Sequence, residues 1–177
     1  KTHEYKSSRK EHLESFYTSF EEANRTKTLD GLIITGAPVG ELAFEDIAYW
    51  PELQEIFTFA KEHIPSTVGI CWGGIAIAKW LGINKIQYPT KLFGVYQGTN
   101  LNRSHPITGE IDDQFWCPQS RHSGIRDEEL EAHRDRGRLN LLAHGSEAGY
   151  FMFETPDHKF MVHLGHPEYN SGRIVTE

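Results

Sequence analysis

The segment Thr67-Val68-Gly69-Ile70-Cys71-Trp72-Gly73-Gly74 constrains this chain more than any other. Thr67 to Ile70 reads as a short buried strand, and a helix is expected from about Gly74 to near Gly82. A strand that turns directly into a helix brings two backbones together, so small residues must flank the residue at the bend. Here the bend carries a cysteine. The helix behind it points its positive end at the sulfur and favours the nucleophilic thiolate. The Trp72 N–H is placed to donate to an oxyanion. Taken alone, Cys71 also fits a small buried hydrophobe.

A second segment, Gly165-His166-Pro167-Glu168-Tyr169, decides between these readings. It follows an apolar strand expected over Phe160–Leu164. His166 can take the thiol proton and later activate an acceptor, while Glu168 can fix its tautomer and stabilise its cation. Pro167 fixes one φ between them. Cys71, His166 and Glu168 are then the nucleophile, base and orienter of a thiol-based acyl-transfer site. A third loop, Gly36 to Val39, follows the run Leu32-Ile33-Ile34 and offers a second oxyanion donor, the Ala37 N–H.

Further elements are expected along the chain. Ser8 and Glu11 form a capping-box pattern, and Leu13, Phe16, Tyr17 and Phe20 recur at helical spacing, which predicts an amphipathic helix over residues 9–24. Pro51 opens a helix carrying Leu53, Ile56, Phe57 and Ala60. Lys91–Tyr96, Leu139–Ala143 and Tyr150–Phe153 read as strands, and Gly98–Gly124 as long loops with brief strands. Strand–helix alternation in the first hundred residues predicts an α/β fold, a mostly parallel sheet with helices on both faces. Sites in such sheets lie at the carboxyl ends of strands, where the three loops can meet.

Composition excludes several classes of function. The 177 residues carry 18 Lys+Arg against 25 Asp+Glu, a net charge of −7, which disfavours nucleic acid and anionic membranes as partners. Arg134, Arg136 and Arg138 stand beside an acidic run and read as a solvated face. No apolar run is long enough to span a bilayer. Two cysteines without a framework, Cys71 and Cys117, point to a reducing, cytoplasmic compartment. Cys117 lacks flanking glycines and reads as structural. His3, His12, His63, His105, His133, His144 and His158 lack metal-ligand spacing, His163 reads as a strand position, and no metal is expected. No phosphate-binding glycine loop is present.

The elbow and the His-Pro-Glu turn resemble the class I glutamine amidotransferase-like superfamily. Longer blocks resemble the homoserine O-acyltransferases within it. They include Asp30-Gly31-Leu32-Ile33-Ile34-Thr35-Gly36-Ala37-Pro38-Val39, Phe44-Glu45-Asp46-Ile47-Ala48-Tyr49-Trp50, Lys91-Leu92-Phe93-Gly94-Val95-Tyr96 and Pro118-Gln119-Ser120-Arg121-His122. The resemblance implies a flavodoxin-like fold and a ping-pong reaction. Cys71 would take an acyl group from acyl-CoA, a co-substrate rather than a resident cofactor, and pass it to the hydroxyl of homoserine in methionine biosynthesis. It implies substrate contacts at Lys91 and Ser120, with Arg121 as partner of the amino-acid carboxylate. It links Gly40 to succinyl rather than acetyl donors, because a missing side chain leaves room for the longer group.

Ile75 stands where amidotransferases carry a glutamine, which disfavours glutamine hydrolysis. Phe115-Trp116-Cys117, Gln119 and Gly124-Ile125 depart from the family beside the acceptor site and leave serine, and hence cysteine biosynthesis, open as a second acceptor reading. A glutaminase-like amidohydrolase and a non-enzymatic binding module stay open as well. Residues 1–177 are expected to form a single acyltransferase domain without N- and C-terminal portions carried by family members. A homodimer is expected on the resemblance alone.

Overall fold

The computed structural model describes residues 15–176. In chain order the elements are α1 (Phe20–Thr26), β1 (Gly31–Ile34), α2 (Trp50–His63), β2 (Ser66–Ile70), α3 (Trp72–Trp80), β3 (Ile86–Asn100), β4 (Gln114–Gly124), α4 (Asp127–Asp135), β5 (Asn140–Gly145), β6 (Gly149–Glu154), β7 (Phe160–His163) and α5 (Ser171–Thr176). A 3-10 turn, Phe44–Asp46, precedes α2. No helix among the described residues is long and apolar enough to cross a membrane.

Among the described residues, seven strands form one sheet in the order β1-β2-β7-β6-β5-β3-β4. The α/β class holds, but parallel pairing is confined to β1-β2-β7. The remaining pairs are antiparallel. Connection length explains the division. Parallel neighbours need a crossover of a dozen or so residues, which α2 supplies between β1 and β2. The turn from Thr155 to Lys159 is too short for a crossover, so β6 and β7 form a hairpin; Thr155 N–H donates to Phe160 O (2.9 Å) and Thr155 Oγ1 to Asp157 Oδ1 (2.6 Å).

In α2, Trp50, Leu53, Ile56, Phe57 and Ala60 are buried, a single stripe at helical period. Burying each large side chain stabilises the fold by about 1.5–3 kcal/mol. The short helix α3 is apolar all round, and its residues from Trp72 to Ala78 are buried. It packs on β2 and β7, the strands that lead into the cysteine and the histidine.

Two expectations need correction. The helix predicted over residues 9–24 lies outside the described residues up to residue 14, and the described part is broken at Tyr17–Ser19. Ser19 accepts a hydrogen bond from the Glu22 N–H (3.2 Å) and starts α1 as its N-cap. The segment Gly98–Gly124, expected as long loops with brief strands, ends in the 11-residue strand β4. Its Pro118 does not interrupt the sheet because β4 is an edge strand, and one side of an edge needs no donor.

Candidate active site

Cys71 sits between β2 and α3 with φ 51° and ψ −116°, outside the regions that a β-carbon ordinarily permits. Three contacts hold it there. Its N–H donates to His163 O of β7 (2.8 Å), and its carbonyl accepts from Ile75 N (3.2 Å) in the first turn of α3. Gly69 and Gly73 let the strand and helix touch: a Cβ on Gly69 would stand 2.7 Å from Gly73 O, and one on Gly73 would collide with the Ile34 carbonyl. The sulfur lies 3.7 Å from Ser120 O.

His166 leaves the end of β7 and is fixed by its N–H to Pro118 O (2.8 Å). Its Nδ1 meets Glu168 Oε1 at 2.7 Å. Burial lowers its pKa, but hydrogen bonds to Cys71 and Glu168 outweigh burial and raise it to about 9. The imidazole therefore favours its cation, the partner a thiolate needs. The Tyr169 ring stacks on it, with centroids 4.1 Å apart. Gly36 packs against the pair: a Cβ there would stand 3.5 Å from Cys71 Cβ and 3.9 Å from both Cys71 Sγ and His166 Cε1.

One cavity of about 540 Å³ holds the site. Ala37, Gly40, Cys71, Trp72, Lys91, Ser120, Arg121, His166 and Glu168, all singled out in the sequence, line it. Trp72 is the first residue of α3, so its N–H has no acceptor in a preceding helical turn. Its indole is buried against Phe44 and Tyr49 (centroids 6.2 and 5.8 Å). Lys91 is exposed at the rim, its Nζ 5.0 Å from the Phe93 ring.

Arg121 departs from expectation. It is buried, and its guanidinium donates to Gln119 Oε1 (3.0 Å), Tyr88 OH (2.8 Å), Ser123 O (3.2 Å) and Ala148 O (2.7 Å). Four of the five N–H groups of an arginine are thus engaged, and no two-pronged grip on a carboxylate is left. Arg121 braces β4 against its neighbours. Residues not singled out as site members also line the cavity: Glu41 and His122, which face each other at 3.9 Å, and Tyr169 and Arg173. Arg173 lies 5.6 Å over the Tyr169 ring, adding a cation beside the base. Tyr169 belongs to the His-Pro-Glu segment, so its stacking was in reach of the sequence; the place of Arg173 was not.

The histidines expected to be bland include one cluster. His105, Glu154 and His158 bring potential ligand atoms within 4.8 Å of one another. A metal does not fit them as they stand. His105 Nδ1 accepts from the N–H groups of Ile107 and Thr108 (both 3.2 Å), so the ring proton sits on Nε2 and is donated to Glu154 Oε2 (3.0 Å). Glu154 Oε1 also accepts from Asn140 Nδ2 (3.0 Å) and lies 2.7 Å from His158 Nδ1. The cluster stitches the β3–β4 connection to the β6–β7 turn.

A family model described as "Homoserine O-succinyltransferase" matches residues 1–177. The chain belongs to the homoserine O-succinyltransferase family. It is 41% identical to a homoserine O-acetyltransferase of Bacillus subtilis over 99% of the chain and 58% of that protein. It is 43% identical to a homoserine O-succinyltransferase of Aliivibrio fischeri over 94% of the chain and 52% of that protein. The chain thus spans little more than half the length of these relatives. Among solved structures it resembles a glutamine amidotransferase from Thermotoga maritima (TM-score 0.64, 17% identity, 81% of this chain and 59% of that one). It also resembles the glutaminase domain of Trypanosoma brucei CTPS (TM-score 0.66, 13% identity, 85% and 68%). These two show the fold alone, the class I glutamine amidotransferase-like fold expected from the elbow.

Proposed function

We propose that this chain carries the acyl-transfer centre of a homoserine O-acyltransferase. It would move an acyl group, succinyl in preference to acetyl, from acyl-CoA through a thioester on Cys71 to the hydroxyl of L-homoserine, the acylation step of methionine biosynthesis. The observation that carries the reading is the Cys71–His166–Glu168 line: a nucleophile at a strained elbow, hydrogen-bonded to a base whose far nitrogen meets a carboxylate at 2.7 Å.

In the first half-reaction the Cys71 thiolate attacks the acyl-CoA carbonyl. The N–H groups of Trp72 and Ala37 receive the developing oxyanion. The bond to the CoA sulfur breaks, and His166 gives its proton to the departing thiolate. In the second half-reaction neutral His166 takes the proton of the homoserine hydroxyl. The oxygen attacks the Cys71 thioester, the C–S bond breaks and the Cys71 thiolate returns. Lys91 and Arg173, the cations at the rim, meet the carboxylates of the substrates.

Gly40 supports the donor assignment. A Cβ there would stand 3.6 Å from Ser123 Oγ, an ordinary contact, so the backbone tolerates a side chain and glycine keeps that volume open. The test supplies each acyl-CoA with L-homoserine and follows the O-acyl product by mass spectrometry. Higher kcat/KM for succinyl-CoA is expected, with Gly40→Glu shifting the ratio toward acetyl-CoA by about tenfold or more. A donor ratio untouched by Gly40→Glu contradicts the donor assignment, and no O-acylhomoserine from either donor contradicts the reaction.

A further inference from the structure

Lys85 lies in the link between α3 and β3 and does not line the cavity, yet its ammonium reaches the cavity wall from behind. Its Nζ donates to Gly40 O (2.5 Å) and Leu42 O (2.6 Å). These two carbonyls belong to the turn closed by Leu42 N–H to Val39 O (3.1 Å). The ammonium also lies 5.4 Å from the centre of the Phe44 ring. A lysine at a protein surface ordinarily leaves its head in water. This one is half-buried, and two of its three donors go to a single loop.

The lysine is held firmly enough to act as an anchor. Ile83, two residues before it, is fully buried. Asn84 N–H donates to Glu129 Oε1 of α4 (2.9 Å). On its other side the turn meets β4, where Gly40 faces the buried Ser123. The turn is therefore gripped between Lys85 and β4. The same loop runs back through Ala37 to Gly36, where an added Cβ would meet Cys71 and His166. The helix whose first turn presents the nucleophile is thus followed, five residues past its last residue, by the side chain that fixes the opposite wall.

We infer that Lys85 is a positioning residue that clamps the Val39–Leu42 turn and so sets the wall at Gly40 against which the acyl group of the donor is measured. This deepens the acyltransferase reading and rests on it. Neutral side chains of the same reach cannot draw two carbonyls to one point, because the clamp depends on an ammonium with several donors. An arginine keeps the charge and donors on a different geometry and restores part of it.

The test compares Lys85→Met and Lys85→Arg with the wild-type chain in two measurements. The first is amide hydrogen exchange, which needs no substrate. In Lys85→Met, exchange at Gly40 to Leu42 is expected to rise by about tenfold or more while β2 and β7 keep their protection; Lys85→Arg recovers part of the loss. The second is the ratio of kcat/KM for succinyl-CoA and acetyl-CoA. Lys85→Met is expected to move it toward parity by about fivefold or more, with the alkylation rate of Cys71 unchanged. Unchanged exchange in the turn overturns the clamp. Faster exchange with an unchanged donor ratio overturns its role in specificity. If neither donor acylates wild-type Cys71, the acyltransferase reading and the specificity role fail together, while the exchange result still reports the clamp by itself.

Discussion

At Cys71 the backbone takes φ 51° and ψ −116°, where a β-carbon is strained and glycine is not. The fold keeps the strain because it aims the sulfur at His166. Replacing Cys71 by glycine should then stabilise the chain relative to Cys71→Ala by about 1 kcal/mol in urea unfolding, although both variants lose acyl transfer. Equal stability of the two would mean that the elbow stores no strain. Glu168 is expected to act through the base. Its carboxylate helps to raise the His166 pKa to about 9, so Glu168→Gln should lower the midpoint of the His166 ring titration followed by NMR. The sign follows from the shift. The charged imidazole stabilises the fold fully below its ordinary pKa of about 6.5, and that contribution fades as pH rises through about 9. That Cys71, His166 and Glu168 meet in one cavity was legible because each is written in its own few residues: glycines at the bend, histidine and glutamate two apart. The role of Arg121 was not, because Tyr88 and Ala148, which engage its guanidinium, lie 33 and 27 residues away in sequence.

Elements were legible where apolar periodicity is strong and obscure where the sheet edge relaxes it. The stripe of α2 and the runs of β1, β2 and β7 mark the parallel part of the fold and the three loops that meet at the site. β4 is hidden by Pro118, which an edge position tolerates. α4 was hidden for a different reason: only Leu130 and His133 are buried, so nine largely charged residues offer almost no stripe to read. The elbow itself depends on close contact between elements. Gly73→Ala drives a Cβ into the Ile34 carbonyl and presses on the backbone that leads to Gly36. It should destabilise the chain by about 1–3 kcal/mol and slow alkylation of Cys71 together. At Gly82 no atom of the described residues stands within 4 Å of an added Cβ, although its φ is +86°. Gly82→Ala should therefore cost about 1 kcal/mol, from backbone strain, and leave the alkylation rate unchanged. Alkylation slowed equally by both substitutions would contradict the packing account of the elbow.

For the whole molecule, acid stability depends on two buried groups away from the reacting atoms. Burial lowers the His163 pKa to about 4, so above that pH it is neutral in the fold, and below about pH 6.5 it takes up a proton on unfolding. Between about pH 6.5 and 4 the unfolded chain binds more protons, and a few kcal/mol of stability is lost as pH falls. Glu154 is also pushed up by burial, but hydrogen bonds from Asn140, His158 and His105 outweigh that and lower its pKa. Its contribution is present above its ordinary value and disappears as pH falls below it. The urea midpoint should thus drop from pH 7 to pH 5, and His163→Leu should flatten that drop; an unchanged slope in the variant would contradict the assignment. The central claim is that Cys71 carries the acyl group. The most direct measurement is the intact mass of the chain mixed with succinyl-CoA, or with acetyl-CoA, in the absence of any acceptor. A succinyl adduct on Cys71 is predicted, absent in Cys71→Ala and discharged by homoserine. An unmodified mass with both donors, or an adduct that survives Cys71→Ala, would contradict it.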